Sequence, residues 1–182
     1  MMNVTEAHLK QGFSPALVAD GRAAEITGSD DAYGWLVGSW ELDVLHYRVD
    51  MSARRMTGEV HFAWVLEGRA VQDVWIMPRR SQRIPAPGAD NNMYGTTLRI
   101  WDAALRAWRV TYFNPVTGQR NELTGRRVGR DIVQIGTHAD GTPIRWNFTD
   151  ITDDSFRWTG VALEPDGVTW RLEAAFLGRR MR

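Results

Sequence analysis

From Gly38 onward, apolar and polar residues alternate with a period of two: Trp40, Leu42 and Val44 against Glu41 and Asp43, then Val60, Phe62 and Trp64 against Glu59 and His61. A strand points successive side chains to opposite faces, so this period predicts strands with one buried side. Ten runs carry it or a similar enrichment in Trp, Val, Thr, Phe and Ile: GSWELDVLHY, TGEVHFAWVL, RAVQDVWIM, YGTTLRIW, AWRVTYFN, QRNELTGR, DIVQIGTH, TPIRWNFTD, SFRWTGVAL and VTWRLEAAFLG. Turn residues separate most of them: Glu67-Gly68, PVTG at 115–118, Gly129-Arg130, ADG at 139–141, TDD at 152–154 and PDG at 165–167. No helix-length segment intervenes, so parallel crossovers are excluded and the sheet is expected to be antiparallel. An open meander would expose two edges, which closure into an up-and-down barrel removes. The expectation is an all-β domain over 38–178, preceded by an N-terminal helical extension over 1–37. In that extension SPALVADGRAAEI reads as a short helix with Ser14 as N-cap and Pro15 at its first position, and SDDAYGWLVG as a second, capped by Ser29 or Asp30.

Counting residues across each turn carries the buried face from strand to strand. With Pro165-Asp166-Gly167 as a three-residue loop, Ala162 pairs with Trp170, Gly160 with Leu172, Trp158 with Ala174 and Phe156 with Phe176. With Ile151-Thr152-Asp153 as the preceding turn, Trp146 pairs with Trp158 and Phe148 with Phe156. Ile144, Trp146, Phe148, Phe156, Trp158, Trp170, Leu172 and Phe176 then share the interior face, opposite Arg145, Asn147, Thr149, Arg157, Thr159, Arg171 and Glu173. Continuing back through Asp140-Gly141, Gly129-Arg130 and Val116-Thr117-Gly118 brings Val133, Ile135, Thr137, Glu122, Thr124, Arg126, Trp108, Val110 and Tyr112 inside. A slip of one residue at a turn inverts the strands upstream, and His138, Gln134 and Asn121 become the interior polar groups. A two-residue turn at Glu67-Gly68 sets Phe62 opposite Asp73 and Val60 opposite Trp75, which points Asp73 inward.

At 182 residues the chain has the length of one domain, and its 22 Lys+Arg balance 22 Asp+Glu. Without a net field, neither nucleic acid nor a membrane surface is expected as a partner. The lack of cysteine removes disulfides, thiolate catalysis, Fe–S clusters and cysteine-type zinc sites. The opening residues lack the basic and apolar regions of a signal peptide, and no apolar run reaches roughly 18 residues, so a soluble cytoplasmic monomer or homodimer is expected. The outlying number is nine tryptophans. Tryptophan collects in cores, interfaces and aromatic pockets, and the register above places Trp40, Trp64, Trp108, Trp146, Trp158 and Trp170 on the inner face. Side chains need not fill a ten-strand barrel, which is wider than an eight-strand one, so a ligand-sized cavity is expected.

Trp35-Leu36-Val37-Gly38-Ser39-Trp40, a helical turn running into the first strand at a G-x-W, resembles the opening of calycin-type barrels: lipocalins, fatty-acid-binding proteins and bacterial lipocalin-like families of unknown function. LVGSWELDV, HFAWVLEGRAVQDVW, YGTTLRIWD, WRVTYFNPVTG and FTDITDDSFRW bring it nearest to the last group. The resemblance implies an antiparallel lipocalin-like barrel with an apolar cavity, and little about reaction or ligand. In such a barrel Gly38 lets the backbone pass close to the closed end, which Trp40 plugs. Some calycin-like barrels hold haem through a histidine near the C-terminal strands; residues 155–178 contain none, which leaves only His138 and His46 to consider.

His8, His46, His61 and His138 follow no metal-ligand spacing, and no metal site is expected. There is no G-x-S-x-G, no phosphate-cradling loop and no lysine inside the barrel, Lys10 being the single lysine, so covalent catalysis, nucleotides and cofactors in general are not expected. What remains is a set of inward polar groups: Asp73, Tyr112, Glu122, Thr124 and Arg126, with His46 and Arg99 depending on register, since Leu98 and Ile100 take the place of Arg99 if it slips. Buried charges need partners, as Asp73 with Arg99 or Glu122 with Arg126, or else a polar ligand. The leading expectation is binding of a small, largely apolar molecule bearing a carboxylate or carbonyl, by Trp64, Asp73, Arg99, Trp108, Tyr112, Glu122, Arg126, Trp146, Trp158 and Trp170. The alternative is a non-covalent cyclase or isomerase folding a polyene or polyketide-like substrate, with Glu122, Asp73 or Tyr112 as acid or base. A third class, an interaction module, would use an exposed patch such as Trp101 and Phe113. The connection 78–93 is too long for a hairpin, and with Arg79, Arg80 and Arg83 it reads as a lid or a basic steering element at a barrel mouth.

Overall fold

Each of the ten runs folds as a strand, and an eleventh two-residue strand is added. A computed structural model describes residues 12–85 and 93–182. The strands are β1 (Gly38–Tyr47), β2 (Val49–Asp50), β3 (Thr57–Val65), β4 (Ala70–Met77), β5 (Met93–Asp102), β6 (Ala107–Asn114), β7 (Gln119–Val128), β8 (Asp131–Thr137), β9 (Pro143–Thr149), β10 (Ser155–Leu163) and β11 (Trp170–Arg180). β2 only lengthens the turn after β1. The other ten pair antiparallel in chain order, and β11 pairs with β1, so the sheet closes as an up-and-down barrel. Closure leaves no long edge to template aggregation. The β1 start, the β11 end and the β3–β4 and β5–β6 turns lie at one end, the closed end; the β6–β7, β8–β9 and β10–β11 connections surround the other, the mouth.

Residues 12–37 pack onto the closed end. The helix begun in this segment is only Phe13–Leu17, α1, because Val18 leaves it to bridge Val65 and the N–H groups of Ala19 and Ala23 donate to the carbonyls of Trp64 and Gly68. Tertiary bonding to the β3–β4 turn overrides the propensity that predicted a longer helix. The second helical segment is one 3-10 turn, Gly34–Leu36, whose N-cap position is Tyr33 rather than Ser29 or Asp30; just before it Asp31 Oδ1 accepts the N–H groups of Gly34 at 2.6 Å and Tyr33 at 3.2 Å. Ile26, Tyr33 and Leu36 are thereby buried. Trp40 is fully buried, donates Nε1–H to the Leu36 carbonyl at 2.7 Å, and carries the Arg180 guanidinium 4.1 Å above its ring. Arg180 in turn donates to the carbonyls of Trp35, Val37 and Asp153 at 2.7, 2.9 and 2.8 Å. The expected plug is therefore built from both ends of the barrel sequence.

The strand pairings β3–β4 and β7–β8 have the expected registers: Phe62 faces Asp73, and Glu122 faces Thr137. The face of β7 and β8 is inverted. The turn expected at Asp140-Gly141 spans His138–Thr142, which sets Gln134 opposite Trp146 and buries Ile132, Gln134, Asn121 and Leu123. Ile135 is exposed, and Glu122, Thr124, Arg126 and Val133 face outward with it. A second miscount cancels the first, since the β6–β7 loop holds four residues instead of three and returns Trp108, Val110 and Tyr112 to the interior. On β11 the loop after Glu164 runs to Thr169, so Leu163 pairs with Trp170, and Trp170 and Leu172 face outward. A bulge at Glu173 then turns Ala174 and Phe176 back in, opposite Gly160 and Trp158.

Candidate functional site

The barrel interior has two halves. The closed half is solid: Tyr33, Trp35, Trp40, Phe148 and Phe156 pack edge to face, with Trp64 and Trp108 beside them. Trp108 also donates Nε1–H to the Asp30 carbonyl at 2.9 Å. The mouth half encloses a cavity of about 500 Å³. Its walls are Trp75, Tyr112, Trp146, Trp158 and Phe176, joined ring to ring at centroid distances of 5.4 to 5.8 Å: Tyr112 on Trp146, Trp146 on Trp158, Trp158 on Phe176 and on Trp75. Trp75 comes from β4 and meets Trp158 from β10, so the rings bridge the lumen. Small residues make the room, Gly160 and Ala174 among the rings and Thr97 beside them.

Arg99 lies at the cavity floor and is nearly inaccessible. Its Nη1 donates to Asp73 Oδ2 at 2.6 Å, and Asp73 Oδ1 accepts the Thr97 N–H at 2.7 Å. The guanidinium lies 5.0 Å from the ring of Tyr33, 5.6 Å from Phe62 and 6.0 Å from Phe148, all on the closed side. The charges thus neutralise each other within the protein, as buried charges must, although Arg99 Nε keeps no hydrogen-bond partner among the described residues. Burial, with the charges of Tyr47 and Asp73 adding to it, pushes the Tyr112 phenol well above its ordinary pKa. At the cavity wall Tyr112 is a neutral hydroxyl.

Polar groups ring the mouth. Gln119 Nε2 donates to Asn121 Oδ1 at 2.7 Å, Asn121 Nδ2 to His138 Nδ1 at 2.9 Å, and His138 Nε2 to Glu173 Oε2 at 2.9 Å. This polarity uses both ring nitrogens of a neutral imidazole. His138 therefore ties β7, the β8–β9 loop and β11 together and keeps no free lone pair for a substrate. Arg171 pairs with Glu164 at 2.8 Å and Glu173 at 3.4 Å, and Arg120 pairs with Glu122. Arg48, at the tip of the β1–β2 connection, completes the rim.

Of the residues nominated from sequence, Arg99, Tyr112, Trp146 and Trp158 line this cavity. Asp73 is buried beneath Arg99, and Trp64 and Trp108 belong to the packed closed half. Glu122, Arg126 and Trp170 stand outside the barrel, the first two through the longer β8–β9 turn and the third through the longer β10–β11 loop. Trp170 instead lies under the Arg145 guanidinium at 4.9 Å, and Arg126 reaches the Leu105 carbonyl at 3.4 Å. Thus Asp73, Glu122 and Tyr112 do not converge, and only Tyr112 meets the cavity. His46 does not line it either. Arg79 and Arg80 are tied to Glu41 and Glu59 on the outer face, and Arg83 bridges the carbonyls of Met77 and Met93. Residues 86–92 of that connection, and His8, lie outside the described residues.

Sequence reasoning passed over Trp75, Arg48, Arg171 and Glu173 as site residues. Trp75 carried a signal, since its pairing with Val60 puts it on the same face as Asp73. Among the described residues no group of three His, Asp or Glu could hold a metal ion, and no helix is long and apolar enough to cross a membrane. No family model matches the chain, and no curated protein matches it. The closed ten-strand barrel with a G-x-W at its plugged end is consistent with the calycin architecture.

Proposed function

We propose that this barrel binds a small, largely apolar molecule in its mouth-side cavity. The observation that carries the reading is the roughly 500 Å³ cavity walled by five mutually packed aromatic rings. Small-molecule sites span about 300–1,000 Å³ and are mostly apolar with few polar groups. The rings are held by one another and by the sheet, so little ordering entropy is lost when a ligand enters. Acid–base turnover finds less support, because Asp73 is spent on Arg99 and Thr97 and Tyr112 is a poor base. Within this proposal the chain is a bacterial lipocalin-like protein, working in the cytoplasm as a monomer or homodimer, with neither nucleic acid nor membrane as partner.

The test is a titration of intrinsic tryptophan fluorescence with biphenyl-4-carboxamide, alongside native mass spectrometry of the purified protein. Trp146 and Trp158 line the site, so saturable quenching is expected. Ala174→Trp fills the space between the rings and should abolish the quenching while the far-ultraviolet circular dichroism stays native. Quenching that survives in Ala174→Trp would place the ligand elsewhere and end this reading.

A further inference from the structure

The charges at the mouth are unequal in a way that selects a ligand. Among the described residues four arginines line the cavity, Arg48, Arg99, Arg120 and Arg171, against the carboxylates of Asp140 and Glu173. Arg99, Arg120 and Arg171 each have a carboxylate of their own in Asp73, Glu122 and Glu164. Among the described residues Arg48 has no carboxylate within ion-pair distance; its guanidinium rests only on the ring of Tyr47, 5.5 Å away. Its position is also costly. Tyr47 pairs directly with Val49, so Arg48 alone forms the turn, and its φ of 62° is in the left-handed region that favours glycine. Among the described residues five other non-glycine residues have positive φ, but none of them lines the cavity. Strain that places a particular side chain at a site is a reason to look for a role there.

We propose that Arg48 is the headgroup anchor of the cavity, so that the ligand is an amphipathic carboxylic acid whose apolar body lies among the aromatic rings and whose carboxylate sits at the mouth. This rests on the cavity reading above and reverses the polarity that a buried arginine would impose: the charge stays near water, where its desolvation cost is small, and only apolar surface enters. A bidentate guanidinium–carboxylate contact supplies orientation. At the floor the Arg99 charge is already neutralised by Asp73, 2.6 Å away, so the floor carries no net charge for a carboxylate.

The experiment compares biphenyl-4-carboxylate with biphenyl-4-carboxamide, matched in body and different in charge, by tryptophan quenching on the full chain. The acid is expected to bind about tenfold more tightly, the scale of one charge-assisted hydrogen bond. Its affinity should fall with added salt while that of the amide does not. Arg48→Gly removes the guanidinium and adopts φ 62° freely, so it does not fail by unfolding; it should bring the acid down to the affinity of the amide and leave the amide within about twofold. Arg48→Lys should keep part of the preference. If Arg48→Gly changes neither compound or weakens both alike, or if the wild type does not prefer the acid, the headgroup assignment is overturned and the cavity reading stands. If neither compound quenches the wild type, the cavity reading itself falls, and this assignment with it.

Discussion

Asp73 and Arg99 show what a single pair of charges does inside this barrel. Both are almost inaccessible, 2.6 Å apart, and surrounded by rings. Removing one partner strands the other in a low-dielectric interior, so Asp73→Ala is expected to cost about 3–5 kcal/mol of stability, read as a lower urea midpoint. The double variant Asp73→Leu/Arg99→Met should recover most of that loss, because an apolar pair needs no compensation there; a double variant as unstable as the single would contradict the argument. Tyr33 is a second such residue. Its hydroxyl donates to Gln134 Oε1 at 3.1 Å, while Gln134 Nε2 is already without a partner. Tyr33→Phe should therefore cost about 1–2 kcal/mol. Burial raises the pKa of both Tyr33 and Tyr112. The folded chain then holds phenol protons that the unfolded chain releases near its ordinary value of 10.0, so this contribution is complete below that pH and is lost as pH rises above it. An ultraviolet titration should show these two phenols ionising only as the native near-ultraviolet dichroism disappears. At this scale Asp73 was legible, because the turn at Glu67-Gly68 preserves the inward parity counted for it. Arg48 was not, because its importance comes from a backbone angle and from having no carboxylate partner among the described residues, neither of which a sequence displays.

Between residues and the whole barrel stand the turns, and there the limits of legibility have a physical cause. All ten long strands coincide with their sequence runs, and β7 pairs with β8 as counted because Gly129 takes the left-handed conformation at a two-residue turn. The faces of β7 and β8 were miscounted because Asp140 Oδ1 captures the Thr142 N–H at 2.9 Å and lengthens the β8–β9 connection. Asn114 and Asp166 do the same elsewhere: Asn114 Oδ1 takes the Val116 N–H at 3.1 Å, and Asp166 Oδ1 takes those of Val168 and Thr169 at 2.9 and 2.8 Å. Short polar side chains compete with ladder hydrogen bonds, and one residue gained in a loop inverts a face. Glu122, Arg126 and Trp170 were lost to the site this way, and Asn121, His138, Arg171 and Glu173 were gained. The Asp166 loop makes this testable. Hydrogen bonds from the Thr169 hydroxyl and from the Thr169 and Val168 amides hold its carboxyl below its usual value. That interaction is present above the unfolded pKa of 3.8 and is lost as pH falls through the lower folded value. Asp166→Ala should lower the protection of the Val168 and Thr169 amides against exchange at neutral pH, and remove the loss of protection that acidification produces in the wild type. Unchanged exchange at those two amides would mean that the loop length is set by something other than Asp166.

Taken whole, the molecule separates stability from binding along its axis. The closed half is packed and bonded to both ends of the barrel sequence, whereas the mouth half keeps a cavity and a rim of charges. The barrel closes only when β11 meets β1, strands separated by the whole length of the sheet, and long-range pairings of this kind are slow to form because loop entropy is lost before they are made. Arg180 stands at that seam, with three donors on the carbonyls of Trp35, Val37 and Asp153 and its plane over Trp40. Arg180→Ala leaves three carbonyls without these donors and uncovers the plug, and should cost about 2–3 kcal/mol. Arg180→Lys should restore less than half of that, since one ammonium cannot serve three carbonyls in a fork. Because the cavity is lined by other residues, Arg180→Ala should bind biphenyl-4-carboxylate with unchanged affinity under conditions where it remains folded, while Arg48→Gly should keep its urea midpoint and lose its preference for the acid over the amide. The two variants together form a crossed design: one moves stability without affinity, the other affinity without stability. Should Arg180→Ala weaken binding in the folded protein, the plug and the mouth would be coupled through the strands, and the aromatic bridge from Trp75 to Trp158 would be the first place to look for the connection.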